Sequence, residues 1–320
     1  MDRRRALGAL FIVGSACGYG SGPLFAKSVY ASGLDWLALL AWRFLIAAIL
    51  VWAWTLVVPA NRAALRATSR RRVLALLGLG CFFVGNAGTY YAALEYISAS
   101  LTALIIYVYP ALVAVLSIRW GHGLHGRRPW GALAIATAGV ALSIGGSAGA
   151  VESIGIALAI VSPVLYSLYI ILSARLAGER RGETAETRTG GAGAETPPAV
   201  AAAILITGTM AITWCLAARA GEPLLPWQVP AGAWFGVGGI AVFSTAVAIS
   251  AFYAGTARIG AAQAALVSTI EPVYTITLAT LLFGERLTVI QLIGGALVIG
   301  GVILAQTTPG ATIDAVHEEP

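Results

Sequence analysis

The chain is short of charge, of histidine and of cysteine, and each shortage removes a class of function. Only 11% of its 320 residues are Asp, Glu, Lys or Arg. Ordinary soluble domains carry about 25%, so a water-soluble globule is excluded. The three cysteines, Cys17, Cys81 and Cys215, lie far apart inside apolar runs and form no CxxC or Cys/His ligand spacing. They read as small packing residues, and neither a disulfide framework nor a zinc site is indicated. His122 and His125 flank glycines in a basic loop and His317 sits in the C-terminal segment, so no metal site and no cofactor is expected. No Walker A lysine motif is present, which removes ATP hydrolysis by this chain. A net charge of +6 suits nucleic acid in the abstract, but the placement of the basic residues, given below, rules that partner out.

What is abundant is apolar surface: 58% of residues are hydrophobic, 38 are glycine, and the mean hydropathy is +0.84. That is the composition of an integral membrane protein, in which small residues let helices approach closely. The charged head and apolar body at the N-terminus resemble a signal peptide, but the apolar stretch continues over 6–26 without a convincing cleavage site, which favours a retained first helix. A window of about 19 residues finds ten candidate spans, at 7–28, 36–57, 73–94, 100–118, 130–149, 154–174, 199–218, 231–253, 260–283 and 287–306. With the N-terminus inside, 16 of the 20 Lys and Arg fall in inner segments and only Arg219 and Arg286 in outer ones. The positive-inside rule then predicts both termini in the cytoplasm. Trp36, Trp120, Trp130, Trp227 and Trp234 fall near the span ends, as an aromatic belt requires.

The polar stretch 175–198 is charged and rich in Gly and Thr, and reads as a flexible inner linker. On its two sides the sequence repeats. A shift of 162 lays 91–142 on 253–304 with 12 of 52 positions identical, including Tyr91/Tyr253, Ile97/Ile259, Pro110/Pro272 and Gly139/Gly301. A shift of 147 lays Gly8, Ser15 and Tyr19 on Gly155, Ser162 and Tyr166. The fold class expected is therefore an all-α membrane protein of ten transmembrane helices, arranged as two inverted five-helix repeats. An odd number of spans per half turns the second copy upside down, as in many secondary transporters, and puts a substrate site at mid-membrane between the copies. The boundaries expected are 1–149 for the first repeat, 150–306 for the second with its inner linker, and 307–320 for a cytoplasmic tail.

One position breaks the symmetry. Glu271 stands halfway along the ninth span, in QAALVSTIEPVYTITLATLLFGERL, where the first half has Tyr109. A carboxylate at that depth costs on the order of 2.5–3.5 kcal/mol and is a functional candidate by default. Pro272 follows it, removing one backbone donor and leaving the Ser268 carbonyl without its helical partner. Irregular backbone at this depth is tolerated only where it is buried in protein or lines a cavity.

The segments EPVYTITLATLLFGERLTVIQLIGGALVIGGVIL, YPALVAVLS and AWRFLIAAIL resemble the EamA-type transporters of the drug/metabolite transporter superfamily, and the resemblance covers about 7–305. It implies two five-helix repeats and the export of amino acids or related small metabolites. The first half departs from the pattern, with Gly121, His122 and Gly123 in the region matching Gly284, Glu285 and Arg286, so Glu285 reads as a cap or hairpin contact.

The substrate-binding candidates are Tyr90, Tyr107, Asn86, Glu271, Ser268, Ser244 and Arg43. Asn86, Thr89, Tyr90 and Tyr91 make a polar face on the third span, with Tyr107 and Tyr109 on the fourth; Ser244, Thr245, Ser268 and Thr269 lie on the eighth and ninth. Such groups can hold a zwitterion or a ring, or bond helix to helix. Arg43 could neutralise an anionic group or pair with Glu271, or else snorkel to the outer surface. Lys27 reads as interfacial.

The function expected is secondary transport of a small metabolite across a bacterial inner membrane by alternating access, with no catalysis. Protonation of Glu271 would couple the cycle. The competing readings are a proton-coupled drug exporter and an intramembrane lipid-modifying enzyme; the latter needs nucleophiles or ligands meeting at one depth. The partners are a small-molecule substrate and membrane lipid. Substrate identity, coupling and oligomeric state stay open.

Overall fold

A computed structural model describes residues 3–119, 127–146, 152–176, 197–259 and 267–306. The His122 and His125 loop with Trp120, most of the 175–198 linker, the start of the 260–283 span and the 307–320 tail lie outside these residues.

Among the described residues every regular element is helical. The first half contains α1 (Arg3–Ala31), α2 (Trp36–Val57), α3 (Pro59–Ala67), α4 (Arg70–Tyr96), α5 (Ala99–Ile106), α6 (Tyr109–Arg119) and α7 (Arg128–Gly145). The second contains α8 (Ser153–Leu176), α9 (Pro198–Ala220), α10 (Ala233–Gly239), a π-helical segment (Ile240–Val247), α11 (Ala248–Ile259), α12 (Ile270–Phe283) and α13 (Val289–Gln306). Among the described residues seven helices are long and apolar enough to cross a membrane, and Ala233–Val247 and Ile270–Phe283 are shorter apolar helices. The chain is a multi-pass membrane protein.

Helix starts follow side-chain caps. Asp35, Ser69 and Ser98 accept from the backbone N–H groups of Ala38, Arg72 and Leu101, opening α2, α4 and α5. Two glycines end helices: Gly221 after α9 and Gly284 after α12 take φ of +80° and +66°, which only glycine adopts cheaply. The segment after α2, expected as a basic loop, contains α3, two and a half amphipathic turns with no buried residue. The fourth span, expected as one helix over 100–118, is broken at Tyr107 and Val108 into α5 and α6.

The sequence repeat is a repeat of contacts. α1 packs along α11 as α8 packs along α4, while α2 on α9 and α7 on α13 pair equivalent helices. At Gly8 a Cβ would stand 2.5 Å from Ile259 and 2.8 Å from Arg258; at Gly155 it would stand 2.8 Å from Ile97 and 2.7 Å from Tyr96. Every member of one contact is the repeat partner of a member of the other. Two turns on, the pattern repeats with a hydrogen bond: Ser15 donates to the Ala248 carbonyl at 2.8 Å, and Ser162 to the Asn86 carbonyl at 3.4 Å. The bare backbone and the hydroxyl at matching places dock the first helix of each half onto the third helix of the other.

Candidate functional site

The two halves meet at a pair of broken helices. The first break falls at Tyr107, before Pro110; in the second half residues 267–268 are helical, Thr269 is a turn and α12 opens at Ile270, before Pro272. The breaks coincide at the repeat offset, and the cause is the same in both: a proline ring cannot donate and crowds the carbonyl four residues back. In the second copy that carbonyl belongs to Ser268. It is not left bare, because the Tyr107 hydroxyl of the first copy donates to it at 2.6 Å. A donor from one break thus satisfies the acceptor freed by the other.

This junction places Glu271 and its counterpart Tyr109 near each other. The half-buried Glu271 carboxyl lies within electrostatic range of the Tyr90, Tyr107 and Tyr109 hydroxyls. Around them the rings continue: Tyr107 to Tyr109 at 5.9 Å, Tyr109 to Tyr166 at 4.7 Å, and Tyr166 to Tyr169 at 6.1 Å. Among the described residues no cation stands within ion-pair distance of Glu271, and no side chain hydrogen-bonds its carboxyl. Its backbone is held instead: Thr275 donates to the carbonyls of Glu271, at 3.1 Å, and of Gly20 on α1, at 3.0 Å.

Arg43 forms a second centre. It is 9% exposed, so it does not snorkel. Its Nε donates to Thr245 at 3.3 Å, its guanidinium lies 4.9 Å from the Tyr91 ring and 5.1 Å from Phe44, and the Tyr91 hydroxyl lies close to both Arg43 and Ser244. Thr245 itself donates to Ile240 five residues back, as a π-turn permits. Among the described residues no carboxylate pairs with Arg43. Tyr90, edge-on to Tyr91 at 5.1 Å, lies within range of both Arg43 and Glu271 and joins the two centres.

The EamA-like transporter family matches this chain twice, over residues 6–145 and 153–307. The chain belongs to that family. Relatives of this EamA-like transporter include an uncharacterized transporter of Archaeoglobus fulgidus, 28% identical over 72% of this chain and 75% of the relative, and the uncharacterized transporter YcbK of Bacillus subtilis, 27% identical over 95% and 93%. A solved crystal structure, 21% identical, superposes with a TM-score of 0.62 over 94% of this chain and 97% of its own, which shows a shared fold.

In this EamA-like protein the remaining candidates divide. Ser244 is buried beside Arg43 and Tyr91, and Ser268 offers its carbonyl to Tyr107. Asn86 meets α8, where its side-chain oxygen accepts from Ser162 at 3.0 Å. Since Asn86 is the repeat partner of Ala248, it sits in a packing contact that both halves make. Tyr166 and Tyr169 went unselected in the sequence, although they share a helix face and Tyr166 repeats Tyr19. The π-segment carrying Ser244 and Thr245 left no sequence signal that we can name. Among the described residues no three His, Cys, Asp or Glu side chains converge on a metal site. Cys81 and Cys215 are exposed rather than packed inside.

At the far end from α3 the charges cap helices. Glu285 accepts from the N–H groups of Ala99 and Ser100, both at 2.9 Å, so it caps α5 of the other half. Lys27 is no free interfacial lysine: it donates to the Ile97 carbonyl at 2.8 Å, at the C-terminus of α4. Glu95 caps α2 through Trp36 N–H at 2.6 Å. Beside it the Glu222 carboxyl is pushed up to about 7 by burial and by its hydrogen bond with Asp35.

Proposed function

We propose that this chain is a secondary transporter that exports a small metabolite, an amino acid or related compound, across a bacterial inner membrane. Alternating access would occur between two inverted five-helix repeats with both termini in the cytoplasm. Adding α7, the helix over 233–259 and α12 to the seven long apolar helices brings the spans to ten. The observation that carries the reading is the junction of the broken helices. There Glu271, with no cation partner among the described residues, lies within range of Tyr90, Tyr107 and Tyr109 of the other half. A polar group held at such depth marks a substrate or ion path, and discontinuous helices at a repeat interface are where transporters bind. Arg43, linked to it through Tyr90, has no carboxylate partner among the described residues, so a zwitterion could satisfy both. Membership of a transporter family agrees with a non-catalytic role.

Protonation of Glu271 would couple movement to a proton gradient. The test is efflux from proteoliposomes loaded with a mixed metabolite panel, with and without an imposed pH gradient, for the wild type and Glu271→Gln. The expected result is that the gradient accelerates loss of one solute class and that the variant, while still exchanging that solute, loses the acceleration. Identical behaviour of the two proteins would make the carboxyl structural and remove proton coupling. If no solute moves through the wild type, the transport reading itself fails.

A further inference from the structure

A cavity of about 910 Å³ lies away from the tyrosine ring, between α1, α2, α9 and the helix formed by the π-segment and α11. Its walls are almost wholly apolar, among them Phe11, Leu50, Trp54, Ala202 and Ala254. It opens sideways, since Trp54 on one lip is 63% exposed and Val247 on the other 48%. In a membrane those faces meet acyl chains. From Leu50 to Val58 on one wall and from Thr245 to Ala254 on the other, the lining follows eight or nine residues of helix. At 1.5 Å per residue that is about 12–14 Å, close to the ~15 Å hydrocarbon depth of a single leaflet.

The mouth of the cavity is cationic on both sides. Asn61 closes one wall, and the exposed α3 that carries it continues with Arg62 and Arg66. On the facing wall Arg258 stands one turn beyond Ala254, its guanidinium 4.9 Å from the ring of Phe11, itself a lining residue. Neither α3 nor α11 contains an acidic residue. An apolar slot one leaflet deep with arginines on both lips matches one chemistry: a diacyl chain pair below an anionic headgroup.

We propose that this groove holds one anionic phospholipid, its acyl chains between α2 and α11 and its phosphate between Arg62 and Arg258. Its assignment to the cytoplasmic leaflet rests on the orientation proposed above; the site itself does not. The groove ends at Thr245, the acceptor for Arg43, so the lipid would touch the same π-segment that positions the buried arginine.

The test is native mass spectrometry of the full chain released from nanodiscs of equal parts phosphatidylglycerol and phosphatidylcholine. One phosphatidylglycerol is expected to be retained in preference to phosphatidylcholine. Arg62→Gln and Arg258→Gln should each reduce that preference about fivefold, and Ala202→Trp, which fills the slot, should abolish retention of either lipid. Equal retention of the two lipids, or a preference that survives loss of both arginines, overturns the site. So does retention unchanged by Ala202→Trp in folded protein. Should that variant not fold, the arginine replacements, which add no bulk, still decide. The readout is bound lipid, so its failure leaves the transport reading untouched, and failed transport leaves the lipid site standing.

Discussion

The two halves differ least where helices dock and most where helices break. At the docking contacts Gly8 and Gly155 meet partners that are themselves repeat-related, and Ser15 and Ser162 donate to carbonyls one repeat apart. At the breaks the backbone still agrees. The carbonyl at the diverging position receives a hydroxyl in both copies: from Ser167 to Tyr109 at 3.2 Å and from Thr275 to Glu271 at 3.1 Å. Only the side chain differs. Tyr109 is held by ring contacts with Tyr107 and Tyr166, whereas among the described residues the Glu271 carboxyl has no partner. The frame is therefore shared between the halves, and the carboxyl stands in only one of them.

If that division is right, exchanging the two side chains should do the greatest harm. Tyr109→Glu with Glu271→Tyr keeps the residue inventory and the breaks but moves the charge into the aromatic cluster. Transport in the proteoliposome assay should fall more than tenfold while the purified protein keeps its helical signal and elution volume. Retained transport would mean that the carboxyl can act from either copy and that the asymmetry is incidental.

The docking contacts should behave in the opposite way, with equal costs in both halves. Gly8→Ala and Gly155→Ala each place a Cβ well inside contact distance of two side chains. Overpacking of this kind costs about 1–3 kcal/mol, more than the gain in helix propensity from Gly to Ala, about 1 kcal/mol. Thermal melts should show losses that match to within a few tenths of a kcal/mol. A marked inequality would break the structural symmetry.

Tyr107→Phe is smaller and sits between the two classes. It keeps the ring but removes the hydroxyl that donates to the Ser268 carbonyl. Loss of one such hydrogen bond costs about 0.5–1.5 kcal/mol. Transport should fall with it if the breaks must stay linked; a melt shift without a transport defect would make the bond purely structural.

Much of this frame was legible because periodicity, prolines and repeats are local signals. Pro272 alone identified Ser268 as the bare acceptor, and the offset of 162 aligned both breaks. Asn86 shows the limit. Its polarity on an apolar helix reads as a binding residue, but that its side chain also meets Ser162 depends on helix rotation, which a broad apolar pattern does not fix. The same ambiguity concealed Tyr166 and Tyr169, half-buried rings on a span that is apolar on all sides. Arg43 was readable as costly but not as enclosed, because its hosts, Thr245, Tyr91 and Phe44, include one about 200 residues away. Glu285 required the other half's geometry, since the N–H groups it caps belong to α5.

The smallest effect expected lies where symmetry has no part, in the acidic cluster at the far end from α3. Glu222 hydrogen-bonds Asp35, with Glu95 nearby, and burial followed by that bond raises its carboxyl from the usual 4.5 to about 7. The folded state therefore binds this proton more tightly than the unfolded chain does. The resulting stability is fully present below about 4.5 and is lost as pH rises through about 7. Because Glu222 is only partly covered, solvent screening holds the contribution to about 0.5 kcal/mol, on the order of 1 °C in Tm. Wild-type melts should thus drop slightly between pH 5 and 8 relative to Glu222→Gln, which keeps a donor toward Asp35 at every pH. A difference of the opposite sign would mean that the two carboxyls do not share a proton. Equal slopes would mean that the cluster is open to water and does not tie α9 to the start of α2.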